Sequence, residues 1–299
     1  MKAELEQITD ASRVFADEPM KAHTTFRVGG PADYFVDAAN MDEIRDVIRL
    51  CREKKVPYYI LGNGSNLLVG DKGYRGVVIQ TYRAMNEVRV EGDVITAQAG
   101  ALLSKIANAA LGEALSGLEF AAGIPGTLGG AVVMNAGAYG GEMKDVLLEV
   151  TALDSDGNVL VIPGEKLELG YRTSIIAKKG YIVVEAKMQL CKGDRDAIKA
   201  RMEQLREQRV TKQPLEFASA GSTFKRPEGY FAGKLIQDAG LCGFRVGDAQ
   251  VSEKHCGFVI NRGNATAAEI VDLMHQVSEK VEERFHVRLE AEVKRLGEF

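Results

Sequence analysis

The chain has 299 residues, 45% hydrophobic and 27% charged, which is enough for two or three domains that each bury a core. A formal net charge of −4 with no basic run excludes the electrostatic footprint that nucleic acid or an anionic membrane surface requires. Cys51, Cys191, Cys242 and Cys256 are far apart and form no CxxC pair, and no charged start leads into an apolar signal segment, so a reducing cytoplasm is expected. No pair among His23, His255, His275 and His286 has metal-ligand spacing with a cysteine or carboxylate, so no metal site is expected.

In chain order, His23 to Ala38 runs through a Gly29-Gly30-Pro31 turn into a strand. Asn40 and Glu43 then form a capping pair, and Ile44, Val47, Ile48 and Cys51 follow at helical spacing up to a stop before Pro57. Tyr58 to Leu61 reads as a short buried strand, Gly62-Asn63-Gly64-Ser65-Asn66 as a tight polar loop, and Leu67 to Val69 as a second strand. The loop resembles the start of a dinucleotide fingerprint, but Leu67 stands where its third glycine belongs and a strand follows where a helix should. Two readings stand for it: a nest of amides around a pyrophosphate, or a plain turn between strands.

Val88 to Val90 and Val94 to Ala97 predict a hairpin around Glu91-Gly92-Asp93, and Leu102, Leu103, Ile106 and Ala110 predict a helix. Gly117 to Gly141 then holds eight glycines and one charge, Glu119. So many absent Cβ atoms let backbone press against a large ligand or against other backbone; both readings are open. Pro125, Asn135 and the glycines break any membrane-spanning period. Leu148 to Ile162 predicts a hairpin at Asp156-Gly157, Tyr181 to Leu190 a further strand, and Ile198, Met202 and Leu205 a charged helix ending near Pro214. Thr266 and Glu269 form a capping box ahead of Ile270, Met274, Val277, Val281 and Phe285 on one helical face. Val287, Leu289, Ala291 and Val293 alternate with charged residues, which predicts a strand with a solvent-facing charged side. The pattern is α+β throughout, with domains expected at 1–75, 76–210 and 211–299 and a final strand that can return to the first region.

Eight blocks together resemble one family, the UDP-N-acetylenolpyruvoylglucosamine reductases (MurB) of bacterial cell-wall synthesis. They are FRVGGPAD from Phe26, LGNGSNLL from Leu61, GIPGTLGGA from Gly123, MNAGAYGGE from Met134, YRTS from Tyr171, AGSTFKRP from Ala220, AQVSEKHCGFVIN from Ala249 and LEAEV from Leu289. The short interval from Tyr171 to Ser222 resembles the shorter class of these enzymes, which lacks an inserted substrate loop.

The resemblance implies a two-part FAD-binding region of the vanillyl-alcohol-oxidase (PCMH) type, followed by a C-terminal α+β substrate-binding domain. It implies noncovalent FAD held around Gly62, Asn63, Gly64, Ser65 and Asn66 and around Gly123, Ile124, Gly126 and Thr127. The implied activity is NADPH-dependent reduction of UDP-N-acetylglucosamine enolpyruvate to UDP-N-acetylmuramate, a cytoplasmic step of peptidoglycan precursor synthesis. The alternatives are an FAD-linked oxidase of the same fold, or a non-catalytic nucleotide-sugar sensor.

Saturating an enol ether conjugated to a carboxylate places negative charge on the α carbon and its carboxylate until a proton arrives, so the protein must supply charge-stabilising donors and one acid. By resemblance Arg172 pairs with the carboxylate, Ser222 donates the proton and Glu292 is the catalytic carboxylate. On residues alone Arg172 reads first as a surface arginine, because YRTS is a short pattern, and Glu290 rivals Glu292 on the same strand face. Tyr171 is the expected substrate-positioning residue, and Lys212 and Arg226 the expected cations for the substrate diphosphate. Lys294 and Asp248 depart from the family's pattern, which has arginine and commonly glycine at these places.

Overall fold

The computed structural model describes residues 1–299. The chain folds into two compact units that its segments enter more than once: unit one is Met1–Phe15, Tyr34–Asn63 and Gly76–Arg209, and unit two is Ala16–Asp33, Gly64–Arg75 and Val210–Phe299. Two short stretches from the first quarter of the chain therefore belong with the C-terminal segment. Side chains tie them there: Thr25 Oγ1 donates to the Ser219 carbonyl (2.6 Å), and Asn261 Nδ2 donates to the Phe26 carbonyl (3.1 Å).

Unit one contains a five-stranded antiparallel sheet ordered Val159–Pro163, Leu147–Leu153, Ile182–Gln189, Val94–Gln98 and Val88–Glu91. Both expected hairpins form, with Val90 opposite Ile95 and Leu153 opposite Val159. The period-two pattern buries Ile95, Ala97, Val150, Ala186 and Met188 on one face, against Leu103, Ile106 and Ala110 of the helix Leu103–Gly112. A second core lies where the helix Met41–Glu53 packs Ile44, Val47, Ile48 and Cys51 against Val77 and Ile79. Asn40 caps that helix by accepting from Glu43 N (2.9 Å), and the strand Tyr58–Leu61 runs parallel to Tyr74–Gln80. Burial alone pushes the Cys51 thiol up to about 11, so it acts as a small hydrophobe.

Unit two carries a four-stranded antiparallel sheet ordered Ala218–Ser219, Val259–Asn261, Ala249–Val251 and Arg245–Val246. The helix Ala267–Phe285 buries Ile270, Leu273, Met274, Val277 and Val281. Cys242 and Cys256, separated by 14 residues, join in a disulfide that their spacing did not suggest.

The last segment differs from its expected form. Residues 287–293 make no strand; the strand is Lys294–Leu296, parallel to Leu67–Val69. The backbone of the earlier residues is engaged elsewhere: Lys225 N donates to Glu290 O (2.8 Å), Glu292 N to Thr223 O (2.8 Å), and Lys294 N to Asn66 O (3.0 Å). A single bridge at Phe224 and Ala291 replaces the ladder that alternation predicted. Burial does not alternate either, since Glu292 and Val293 are both buried.

Asp71 closes the start of the long helix from a distant part of the chain, accepting from Ala267 N (2.8 Å) and Ala268 N (2.9 Å) beside the Thr266–Glu269 capping box. Asp71→Ala removes both acceptors and is expected to lower unfolding stability by about 1–2 kcal/mol. Asp71→Asn, which keeps one acceptor, should lose less. Urea unfolding checks this, and an unshifted midpoint for the alanine variant would show that the Thr266 box suffices.

Candidate active site

In unit one, the end of the strand Tyr58–Leu61 meets the glycine-rich stretch. A Cβ built on Gly62 would fall 2.2 Å from Thr127 Oγ1, so only glycine allows this approach. Asn63 Nδ2 donates to the Pro125 carbonyl (2.6 Å), tying the two loops together. The second loop is fixed from below, with Leu103 N donating to Gly126 O (3.1 Å) and Leu128 N to Ala101 O (2.8 Å). Thr127 is buried, and Leu128–Val133 forms a short helix inside the glycine stretch.

Glycines along that stretch meet different neighbours. Gly129 lies against Ala99 and Gly141 against Phe120, which is plain packing. A Cβ on Gly123 instead would lie 3.4 Å from Cδ and Nη1 of Arg209. Burial holds the Arg209 guanidinium below the usual arginine range, with Tyr139 opposing that shift, and arginine stays charged there. No pattern in the helix Arg195–Lys212 distinguishes Arg209 from its charged neighbours, and sequence reading missed it.

Gly64, Ser65 and Asn66 continue the first loop in unit two. Gly64 has a left-handed φ of +60°, its carbonyl accepts from Thr25 N (3.2 Å), and a Cβ there would meet the His23 carbonyl oxygen at 2.1 Å. Asn66 Nδ2 donates to the Glu292 carbonyl (3.2 Å). The Asn66 side chain is thereby committed to the segment bearing Glu292.

That segment separates the two rival carboxylates. Glu292 is buried at 8% exposure, while Glu290 is exposed and ion-paired to Lys225 at 3.0 Å. The bond from Glu292 N to Thr223 O sets Glu292 beside the Ser222 loop. Ser222 is exposed and follows Gly221 at φ +75°. Thr223 is fully buried, and its Oγ1 accepts from Val259 N (2.8 Å). The hydroxyl open to a substrate on this loop is therefore that of Ser222. His255 packs edge-on to Phe258, its Nδ1 accepts from Gly257 N (3.1 Å), and burial shifts its pKa downward.

Arg172 and Tyr171 lie in unit one on a turn closed by Gly170 and Thr173, with Arg172 at φ +55° and its guanidinium 5.4 Å from the Tyr171 ring centroid. In unit two, Arg226 lies over the exposed Phe231 ring at 4.2 Å, and Lys212 is exposed. Of the two departures, Lys294 is exposed, and Asp248 accepts from Arg245 Nη2 and Asn264 N, both at 3.1 Å.

Comparison with known proteins gives two family matches, an FAD binding domain over residues 32–162 and the C-terminal domain of UDP-N-acetylenolpyruvoylglucosamine reductase over residues 213–296. The UDP-N-acetylenolpyruvoylglucosamine reductase of Agathobacter rectalis is 55% identical, covering 95% of this chain and 94% of its own. The chain belongs to the UDP-N-acetylenolpyruvoylglucosamine reductases. The reductase of Alkaliphilus oremlandii is 53% identical over 98% of this chain and 97% of its own. The crystal structure of the reductase (MurB) from Thermus caldophilus has a TM-score of 0.81 at 37% identity, covering 93% of this chain and 97% of that one. Phl p 4.0202, a glucose dehydrogenase, shares 13% identity at a TM-score of 0.50 over 95% of this chain and 57% of that one, which is a likeness of fold alone. The fold is thus an FAD-binding region of the vanillyl-alcohol-oxidase type joined to the C-terminal domain of this reductase family.

The residues of unit one suit FAD. Gly62 lets the strand end close on Thr127 and Gly123 lets the second loop close on Arg209, so two amide-rich loops and a half-buried guanidinium lie together where a dinucleotide diphosphate could be held. Gly62→Ala should therefore lower the flavin bound per protein at least tenfold while far-UV circular dichroism stays unchanged. Gly112→Ala, where a Cβ meets nothing within 4 Å, is the control and should purify yellow. Equal flavin content in both variants would place the cofactor elsewhere.

Proposed function

We propose that this chain reduces UDP-N-acetylglucosamine enolpyruvate to UDP-N-acetylmuramate with NADPH, using noncovalent FAD, in peptidoglycan precursor synthesis. The observation that carries the reading is the placement of exposed Ser222 beside buried Glu292, fixed by the bond from Glu292 N to Thr223 O. Bound FAD supplies the hydride chemistry.

The chain's own residues supply charge and a proton. Arg172, with its planar fork of donors, binds the substrate carboxylate as negative charge grows on it. Ser222 Oγ–H gives its proton to the α carbon and is reprotonated from solvent, and the carboxyl group of Glu292 hydrogen-bonds an oxygen of the enolate-like intermediate. Tyr171 positions substrate, and Lys212 and Arg226 meet its diphosphate. Residues 211–299 form the substrate-binding part and residues 1–75 and 76–210 the two FAD subdomains, although stretches 16–33 and 64–75 pack in the same unit as the C-terminal segment; Gly64, Ser65, Asn66 and Ile124 contribute cofactor contacts. We place the enzyme in the cytoplasm; no helix is long and apolar enough to cross a membrane.

The test divides the reaction into halves. Ser222→Ala should leave flavin reduction by NADPH within a few-fold of the parent, because that step draws no proton from Ser222. Reoxidation by the enolpyruvyl substrate should slow by about 10²–10⁴, the usual contribution of a positioned acid. Stopped-flow absorbance of the flavin resolves the two. Reoxidation of the alanine variant at the parent rate would remove Ser222 as donor, and fully buried Thr223 could not replace it.

A further inference from the structure

Arg172 is a non-glycine residue in the left-handed region, at φ +55°, on a four-residue turn. The turn closes on itself through Gly170 N donating to Thr173 O (3.1 Å) and Thr173 N donating to Gly170 O (3.3 Å). A left-handed arginine is strained, so contacts outside the turn must help to hold it. That support comes from Asn135, in the MNAGAYGGE block.

Asn135 is 1% exposed and is itself left-handed, at φ +45°. Its side chain is fully engaged at both ends. Nδ2 donates to Glu142 Oε2 (2.5 Å) and to the Gly170 carbonyl (3.2 Å), while Oδ1 accepts from Lys144 N (2.9 Å). The acidic partner fixes which way the amide faces, because the carboxylate accepts only from the NH₂ side. Glu142 is anchored in turn by the capping box it forms with Asp145. On the other flank, Ser174 Oγ donates to the Val133 carbonyl (2.7 Å) and also caps the short helix Ile175–Lys179. Both ends of the Arg172 turn are thus pinned to residues 133–135.

We propose that Asn135 is a positioning residue for Arg172: its bond to the Gly170 carbonyl, oriented by Glu142, holds the turn so that the guanidinium meets the enolpyruvyl carboxylate in one fixed pose. The proposal rests on the reading of Arg172 as the carboxylate-binding residue. The glycine-rich block then has two tasks, backbone approach at Gly123 to Thr127 and a side-chain clamp at Asn135. Misplacing a charge-stabilising fork by about 1 Å costs on the order of 10²-fold in rate.

The test is a double-mutant cycle in the FAD-loaded enzyme. Asn135→Gly keeps the left-handed backbone and deletes only the side-chain bonds. It should lower kcat for the enolpyruvyl substrate about 10- to 100-fold and leave flavin reduction by NADPH within threefold. Placed on Arg172→Ala, the same change should lower reoxidation by less than twofold further, because there is no guanidinium left to position. A merely structural asparagine would lower the thermal midpoint equally in both backgrounds and make the rate losses multiply, which would overturn the proposal. Unchanged kcat in Asn135→Gly would overturn it as well. Should that variant not fold, Glu142→Gln weakens the same amide's orientation and should give a three- to tenfold loss that Arg172→Ala also absorbs; losses that multiply would again sink it. If Arg172→Ala alone reoxidises at the parent rate, the reading of Arg172 is the part that fails, and the positioning role fails with it.

Discussion

The antiparallel contact between residues 223–225 and 290–292 is the constraint on which the placement of the proposed Ser222–Glu292 pair in unit two depends. A serine hydroxyl and a carboxylate are useful together only if the backbone fixes both. Here Glu292 N donates to Thr223 O and Lys225 N to Glu290 O, so the serine loop and the carboxylate segment are one piece of backbone. Asn66 extends it by donating to the Glu292 carbonyl and accepting from Lys294 N. The LGNGSNLL block therefore has a structural task in unit two in addition to its loop in unit one.

Charge placement follows from that constraint. Burying a carboxylate is costly in the absence of compensation, and Glu292 is buried while Glu290, two positions earlier, sits in solvent with Lys225. An exposed pair of this kind contributes little to stability. A protein that tolerates the first and exposes the second has separated the roles of two residues that look alike in sequence. Thr223 shows the same division among hydroxyls, since its Oγ1 serves Val259 N and leaves Ser222 as the open one.

In unit one the organising feature is close approach. Gly62 has no room for a side chain against Thr127, and Asn63 fastens that contact through Pro125. Arg209 brings a half-buried positive charge beside Gly123 from a helix whose surface is otherwise solvated charge. Strain is held in the same unit: Asn135 and Arg172 are both left-handed, and a hydrogen bond from Asn135 reaches Gly170 in the Arg172 turn.

Local chemistry was legible where it is governed by near neighbours. Helix Met41–Glu53 followed from Asn40 and a 3.6-residue period, both hairpins from period-two runs around Gly92 and Gly157, and the long helix from its capping box, because each depends on side chains within a few residues. The eight blocks likewise carried the family, and put Arg172, Ser222 and Glu292 forward as candidates for its site. Tertiary structure alone decided the rest. Alternation at 287–293 promised a strand, yet pairing with 223–225 and 66 took its hydrogen bonds, and a period cannot report which distant partner will claim them. The disulfide of Cys242 with Cys256, the choice of Glu292 over Glu290 for burial, the arrival of Arg209 beside Gly123, and the hold of Asn135 on Gly170 were invisible for the same reason: each joins residues whose separation along the chain leaves no local trace.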